Sequence, residues 1–103
     1  MDDLEYFRKA VFELSKFKNW NDSEIWLERS LFVECGELAK AIEEKKSPEE
    51  IAEEGADVLH YLFQILNLRA PQVDLNKAMQ DKINSNYKTP KKSWIDGVGI
   101  VRK

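Results

Sequence analysis

The stretch that decides the fold is Ser47–Leu68, with the sequence SPEEIAEEGADVLHYLFQILNL. Its first residues form a helix start signal, because Ser47 supplies a capping oxygen, Pro48 suits the first helical position and Glu50 completes a capping box. Its apolar residues then recur at intervals of three and four, which is the period of an α-helix. The stretch therefore predicts a long helix that ends at about Leu68.

The same period extends over most of the chain, in which Gly and Pro number only four and three. It predicts three further helices, which cover about Leu4–Phe17, Glu24–Lys45 and Leu75–Tyr87. Asp22 or Ser23 is expected to cap the second helix of the chain and Asp74 the fourth, because their side-chain oxygens accept hydrogen bonds from free amides of the first turn. In the first helix, one apolar stripe contains Leu4, Phe7, Val11, Leu14 and Phe17.

The length of the chain limits its domain organisation. At 103 residues it is long enough for one modest core and too short for two ordinary domains. Short connections between helices favour antiparallel neighbours. We therefore expect an all-α, four-helix antiparallel bundle in a single domain, residues 1–103, with a core over about residues 4–90. The segment 91–103 is expected to be a short tail without regular structure, because Pro90 ends the last helix.

The charge and hydropathy patterns restrict the partners. Charged residues make up 34% of the chain, but the net charge is only −3, so no strong field of one sign favours long nucleic acid. Acidic residues interrupt the first twenty positions, and no apolar run approaches the length of a membrane span. The single Cys35 cannot form an internal disulfide. We expect a cytoplasmic protein that binds neither long nucleic acid nor a membrane.

Four acidic residues of the two middle helices lie on sides that are otherwise apolar: Glu34, Glu37, Glu54 and Asp57. Core residues flank Glu34 (Leu27, Leu31, Leu38 and Ala41) and Glu54 (Ile51, Val58, Tyr61 and Ile65). Other polar residues of the third helix are expected to face solvent: Glu49, Glu53, His60 and Gln64. An ionised carboxylate removed from water is costly unless it is paired, and neighbouring Lys and Arg residues do not supply the partners.

The spacing of these acids allows two interpretations. In the first, each acid belongs to the polar edge of an amphipathic helix and stays hydrated. In the second, pairs at i and i+3 on two antiparallel helices converge, and an all-oxygen cluster of this kind selects a hard ion such as Mg²⁺ or Mn²⁺. Gly36 and Ala56 lie between the members of the two pairs, where small residues allow close approach of the helices.

Two motifs carry a resemblance to a known family. Glu34-Cys35-Gly36-Glu37-Leu38, followed by Glu54-Gly55-Ala56-Asp57-Val58-Leu59-His60-Tyr61, resembles the ExxE…ExxD signature of the MazG-like all-α nucleoside triphosphate pyrophosphohydrolases. The resemblance extends over about Trp20–Pro90. It implies that the four acids bind Mg²⁺, with Mn²⁺ as a substitute, and that water attacks the α-phosphorus of a bound nucleoside triphosphate to release pyrophosphate.

Roles for individual residues follow from the resemblance for Tyr61, Lys82 and Asn86, and from side-chain chemistry for the general base and the two tryptophans. Glu37 or Glu54 is the expected general base. Five residues are expected to bind the substrate: Tyr61, Lys82, Asn86, Trp20 and Trp26. For the two tryptophans, stacking on a nucleobase competes with ordinary packing in the core or between subunits. The His-Thr-Pro-like segment of the dCTP-hydrolysing branch is replaced here by Trp20-Asn21-Asp22-Ser23, so the base remains open.

The middle helices carry more apolar residues than one bundle layer covers. A second apolar face contains Phe32, Cys35, Ala39 and Ile42 on one helix and Leu59, Phe63 and Leu66 on the next. This surplus predicts a homo-oligomer, and the resemblance implies a dimer or a tetramer. Cys35 is expected to be a small buried apolar residue and His60 a surface or interface histidine.

Several functions remain compatible with the sequence. The first is a Mg²⁺-dependent nucleotide pyrophosphohydrolase that removes non-standard or excess nucleotides in a house-cleaning role. The second is hydrolysis of phosphoribosyl-ATP. The third is a non-catalytic helical interaction module. A fourth is a di-iron redox protein, because Asp57-x-x-His60 has the carboxylate-x-x-His spacing found in di-iron bundles.

Overall fold

The structure is a computed structural model that describes residues 3–20 and 23–88 and, for the backbone alone, Trp94–Ile95 and Gly99–Ile100. Four helices are formed: α1 (Leu4–Lys18), α2 (Glu24–Glu43), α3 (Pro48–Arg69) and α4 (Leu75–Lys88). The predicted all-α class with four helices is confirmed, and each helix begins and ends close to its expected position.

The helix starts follow from the capping residues. Asp3 caps α1 and Ser23 caps α2, each by accepting a hydrogen bond from a first-turn amide. Ser47 and Glu50 form the predicted capping box of α3, with Pro48 in its first turn. Asp74 Oδ1 accepts a hydrogen bond from the Lys77 amide at 3.1 Å, as expected for the cap of α4. Asp22, the other cap predicted for α2, lies outside the described residues.

The chain divides into two compact units, Met1–Val73 and Asp74–Lys103. In the first unit, α2 and α3 are joined by a short turn at residues 44–47 and pack along each other, and α1 packs on α3. Leu27, Ala41 and Phe63 are buried in this unit. The α2–α3 hairpin holds the two acidic pairs, one on each helix. That all 103 residues form one domain remains a prediction.

The buried side of α1 differs from the predicted apolar stripe. Phe17 is 84% exposed, and Phe7 and Leu14 are also exposed, so these three members of the stripe are not core residues. Leu4 and Val11 of the stripe are half-buried, and between them lies Arg8, which is buried and donates hydrogen bonds to backbone carbonyls that follow α3. Asn67 Nδ2 returns a hydrogen bond to the Arg8 carbonyl at 3.1 Å. The less exposed side of α1 therefore combines part of the apolar stripe with polar contacts to distant residues.

The second unit contains α4 and a short strand pair. Lys77 Nζ and Asp81 Oδ2 form an ion pair at 2.7 Å on α4. Trp94–Ile95 and Gly99–Ile100 form an antiparallel ladder. The expectation that regular structure ends at Pro90 is therefore wrong for these four residues. Two strands of two residues each are too short to show the apolar alternation by which a strand is predicted from sequence. Among the described residues, no helix is both long enough and apolar enough to cross a membrane.

Candidate functional site

Three of the four predicted metal ligands meet between α2 and α3. Glu34 and Glu54 are half-buried and Asp57 is exposed, and one carboxylate oxygen of each lies within 4.8 Å of the other two. Leu31 and Leu38 lie one turn before and after Glu34 and are half-buried, as Glu34 is, so all three side chains lie on the side of α2 that is partly covered. The hairpin thus converts two i, i+3 pairs into one cluster of oxygen atoms.

The charges in this cluster are not neutralised by basic residues. In the described part of the chain, no Lys or Arg forms an ion pair with Glu34, Glu54 or Asp57. Burial raises the pKa of Glu34 above its usual value of 4.5, and the negative charges of Asp57, Glu54 and Glu37 raise it further. A cluster of carboxylates without a basic partner among the described residues, in which the pKa of Glu34 is raised, is suited to a cation.

The donor set fits a hard divalent ion. At a metal–oxygen distance of about 2.1 Å, ligand oxygens of an octahedral Mg²⁺ lie about 3 to 4 Å apart. The carboxylate oxygens of Glu34, Glu54 and Asp57 lie within 4.8 Å of one another, so small side-chain rotations bring them to that spacing. No His or Cys ligand belongs to this group among the described residues, and an all-oxygen set disfavours zinc and copper.

Glu37 occupies a different position from the other three acids. It is exposed and does not belong to the group of mutually close oxygens, although its charge contributes to the raised pKa of Glu34. It lines a polar cavity of about 300 Å³ that Glu53 and Glu54 also line. The structure therefore brings three predicted ligands together and leaves Glu37 beside them, one step around α2. Glu53 is exposed, as predicted.

A cavity of about 510 Å³ adjoins the carboxylate cluster. Its lining residues are Asn19, Trp20, Trp26, Glu34, Asp57, His60, Tyr61 and Gln64. Trp26 and Tyr61 contact edge to face with ring centroids 5.8 Å apart, and Trp20 meets His60 in the same way at 5.2 Å. Trp20, Trp26 and Tyr61, predicted to bind substrate, thus share one cavity with two of the predicted metal ligands.

Two residues of this cavity were missed by the sequence interpretation. His60 and Gln64 were expected to face solvent, but His60 is half-buried and Gln64 is only 7% exposed. The expectation is wrong because α1 covers this side of α3, and Gln64 Nε2 donates a hydrogen bond to Ser15 Oγ of α1. The available signal was that Gln64 interrupts the apolar run from Tyr61 to Leu66.

Other predicted residues lie elsewhere. Lys82 and Asn86 are exposed on α4 in the second unit, so their contacts with a substrate stay a prediction. Cys35 is exposed rather than buried. Gly36 and Ala56 are exposed too, and a Cβ atom at Gly36 meets nothing within 4 Å, so these residues do not mediate close packing of the helices. They lie on the outer sides of α2 and α3.

The carboxylates of the cluster repel one another, so removing one of their charges is expected to stabilise the metal-free protein. We expect Glu34→Gln to raise the free energy of unfolding of the metal-free protein at neutral pH by more than the roughly 0.5 kcal/mol scatter of surface substitutions. The folded state raises the pKa of Glu34. The ionised Glu34 carboxylate therefore does not destabilise the parent protein below the usual pKa of 4.5, and its destabilising effect develops as pH rises through the raised pKa. Urea unfolding with a chelator at several pH values measures this difference.

The exposed Glu28→Gln on the same helix is the control for that prediction, because it removes the same charge away from the cluster. Its effect should be small at every pH. If Glu34→Gln destabilised the metal-free protein at neutral pH, or if its gain grew on acidification, the interpretation of the cluster as a centre of unrelieved repulsion would be wrong.

Comparison with known proteins bears on this arrangement of acids. The family described as MazG nucleotide pyrophosphohydrolase domain matches residues 23–89. Neither the comparison with curated proteins nor the comparison with solved structures gives a match. The matched residues make up well over half of the chain and contain both acidic pairs together with Tyr61, Lys82 and Asn86. The chain therefore belongs to the MazG nucleotide pyrophosphohydrolase domain family.

Proposed function

We propose that this protein is a Mg²⁺-dependent nucleoside triphosphate pyrophosphohydrolase, which converts an NTP or dNTP and water into the monophosphate and pyrophosphate. The observation that carries the proposal is the cluster of Glu34, Glu54 and Asp57 oxygens, which lie within 4.8 Å of one another at the rim of an aromatic cavity. A centre for a hard cation beside aromatic rings suits a ligand that combines phosphates with a planar base. Membership of the family supports the same reaction.

The acids have two roles in this proposal. Glu34, Glu54 and Asp57 hold the ion, with Glu37 as a further ligand on its exposed side. When bound, Mg²⁺ or Mn²⁺ offsets the charge of the triphosphate and lowers the pKa of a coordinated water. Glu37 and Glu54 are the candidates for the general base. Glu37 is favoured, because it lies outside the close group of oxygens and so has an oxygen free to take a proton.

The remaining predicted residues position the nucleotide. Trp20, Trp26 and Tyr61 line the cavity that also reaches Glu34 and Asp57, so a base stacked on their rings keeps its phosphates near the acids. Lys82 and Asn86, which are four residues apart on α4, are proposed to contact a phosphate oxygen and the sugar. A house-cleaning role in the cytoplasm, on non-standard or excess nucleotides, is the biological function that we propose.

The decisive experiment is a panel of nucleoside triphosphates, including phosphoribosyl-ATP, incubated with Mg²⁺ and scored for pyrophosphate and orthophosphate. We expect pyrophosphate, because attack at the α-phosphorus makes pyrophosphate the leaving group. In ¹⁸O-labelled water the label should enter the nucleoside monophosphate. Mn²⁺ should replace Mg²⁺, whereas larger Ca²⁺ should support little turnover because its looser coordination positions the reacting groups less well.

Label in orthophosphate, with a nucleoside diphosphate as the other product, would contradict the proposed reaction even if the protein bound Mg²⁺. Preference for phosphoribosyl-ATP over all nucleotides would keep the chemistry and change the substrate. Metal-dependent stabilisation without any turnover would instead indicate the non-catalytic interaction module.

A homo-oligomer, a dimer or a tetramer, is also part of the proposal. Phe32 is 76% exposed, Ile42 55% and Leu59 50%, which is a large apolar area for a monomer to leave in water. Phe63 was expected in the same interface, but it is only 7% exposed within the chain and so cannot contribute. We expect light scattering at micromolar concentration to give at least a dimer, and Phe32→Lys to shift it toward the monomer. A monodisperse parent monomer would contradict this prediction.

A further inference from the structure

The side chain of Gln64 is buried without full hydrogen bonding. It is 7% exposed and lines the same cavity as Trp20, Tyr61 and Asp57. Its amide oxygen, Oε1, has less than 1 Å² of exposed surface and no hydrogen-bond partner among the described residues. Buried polar atoms are nearly always paired, so an unpaired acceptor in a cavity wall requires an explanation. No residue role described above uses this oxygen.

The orientation of the Gln64 amide follows from its neighbours on α1. Ser15 Oγ donates its hydrogen to the Val11 carbonyl at 2.8 Å, so the same oxygen is left to accept. Gln64 Nε2 donates to Ser15 Oγ at 3.4 Å. The amide nitrogen is therefore committed to α1, and Oε1 is the group that remains for a ligand. Because Oε1 can only accept, it selects a ligand that donates.

A second unpaired atom lies on the same wall. His60 Nε2, one turn before Gln64 on α3, is also buried without a hydrogen-bond partner in the described part of the chain. The His60 ring contacts the rings of Trp20 and Tyr61, at centroid distances of 5.2 and 6.0 Å. A mostly aromatic cavity with a few unpaired polar groups is the usual composition of a small-molecule site. The base-binding part of the proposed nucleotide site has this composition.

We propose that Gln64 is a specificity-determining residue, whose amide oxygen accepts a hydrogen bond from an N–H group of the nucleobase. This inference rests on the proposed function. Gln64 follows Asp57 by seven residues, which corresponds to about 10 Å along α3, a span comparable to that from the α-phosphate of a nucleotide to the far edge of its base. The substrate class is then a nucleotide whose base presents an amino or imide N–H on that edge.

The recessed position of Oε1 sets a requirement for binding. Since less than 1 Å² of this oxygen is exposed, a ligand group reaches it when the side chains around the cavity rotate, a change that commonly accompanies binding. A base that lacks an N–H group leaves the oxygen unpaired in the complex. Loss of one hydrogen bond to a buried group weakens binding by about 10- to 100-fold.

The test compares nucleotides that differ in this N–H group. Binding is followed by tryptophan fluorescence with Ca²⁺, because Trp20 and Trp26 line the cavity. The pairs are dCTP with the 2-pyrimidinone analogue, dUTP with its N3-methyl derivative, and dATP and dGTP with purine deoxyriboside triphosphate. For the base that binds best, the parent should favour the donor-bearing member by about 10- to 100-fold.

Two variants separate a direct contact from a structural role. Gln64→Met keeps the length of the side chain and should bring the ratio of dissociation constants close to one. Ser15→Ala keeps Gln64 but frees its amide to turn, so the ratio should also fall. The matched control is Gln80→Met, the same substitution at an exposed position of α4, which should keep the parent ratio. Circular dichroism establishes that each variant is folded.

The outcomes distinguish the inference from the function on which it rests. A parent that binds both members of each pair equally, or a folded Gln64→Met that keeps the parent ratio, would overturn the inference. If the parent releases pyrophosphate but Gln64→Met keeps the parent ratio of dissociation constants, the base contact is wrong and the proposed reaction stands. Discrimination that depends on Gln64 without pyrophosphate release would support the base contact and contradict the proposed reaction.

Discussion

Glu54→Gln is expected to lower kcat by about 100-fold or more, with Glu34→Gln and Asp57→Asn giving losses of similar size. An amide keeps the shape of the side chain but removes the charge that holds a hard cation, and no Lys or Arg within the described ranges forms an ion pair with the cluster. Removing one essential electrostatic contact typically costs about 100- to 1,000-fold in turnover. Steady-state kinetics with saturating Mg²⁺, together with circular dichroism, measures the effect on a folded protein.

Glu37→Gln separates the two roles proposed for that acid. Loss of turnover with unchanged Mg²⁺ affinity indicates the general base, whereas loss of both indicates a ligand. The matched control for all four variants is Glu53→Gln, which neutralises the exposed acid next to Glu54. If Glu53→Gln were as damaging as Glu54→Gln, the assignment of the cluster would be wrong.

The second large effect is expected on stability. Arg8 is 6% exposed and donates hydrogen bonds to the carbonyls of Ala70, at 3.0 Å, and Pro71, at 3.3 Å, and to that of Val73. These carbonyls follow the end of α3, where no helical amide is available to them. Arg8→Ala removes the donor of the Pro71 and Val73 carbonyls, leaves the Ala70 carbonyl with only the Val73 amide, and opens space beneath α1. We therefore expect a loss of about 3 kcal/mol or more in the free energy of unfolding. Urea unfolding monitored by circular dichroism measures it.

Arg8→Lys should recover only part of the lost stability, because a single ammonium group cannot reproduce the fork of the guanidinium. The exposed Arg29→Ala on α2 is the control and should change stability by at most about 0.5 kcal/mol. An equally small effect of Arg8→Ala would show that α1 is held on α3 by apolar contacts instead.

The start of α3 and the directions of the acidic side chains were predictable, because both depend only on the sequence of residues along a single helix. The capping box at Ser47 and Glu50 set the start of α3, and the helical period then placed Glu54 toward the core and Glu53 toward solvent. The same reasoning brought Glu34 to the apolar side of α2. Convergence of these acids needed only that two helices joined by a short turn lie side by side.

Features that depend on a third element were not predictable in this way. The apolar stripe of α1 suggested Phe7 and Phe17 as core residues, yet both are exposed. The buried residue of α1 is Arg8, whose hydrogen-bond partners are more than sixty positions away in the chain. The hydrophobic period of a single helix carries no information about a contact between residues that are so far apart in the chain.

By itself, therefore, the sequence determined the four helices, the caps of α3 and α4 and the inward direction of Glu34 and Glu54, since backbone geometry and hydrophobic period act within a few residues. Tertiary structure alone decided that α1 covers α3 through Arg8 and Ser15, and that Gln64 is buried as a result. It also decided that Glu37 remains outside the close group of carboxylates. The contacts of α1 depend on how hydrogen-bonding groups from separate parts of the chain satisfy one another, and the position of Glu37 depends on how α2 and α3 pack. Both become defined only when the helices have packed.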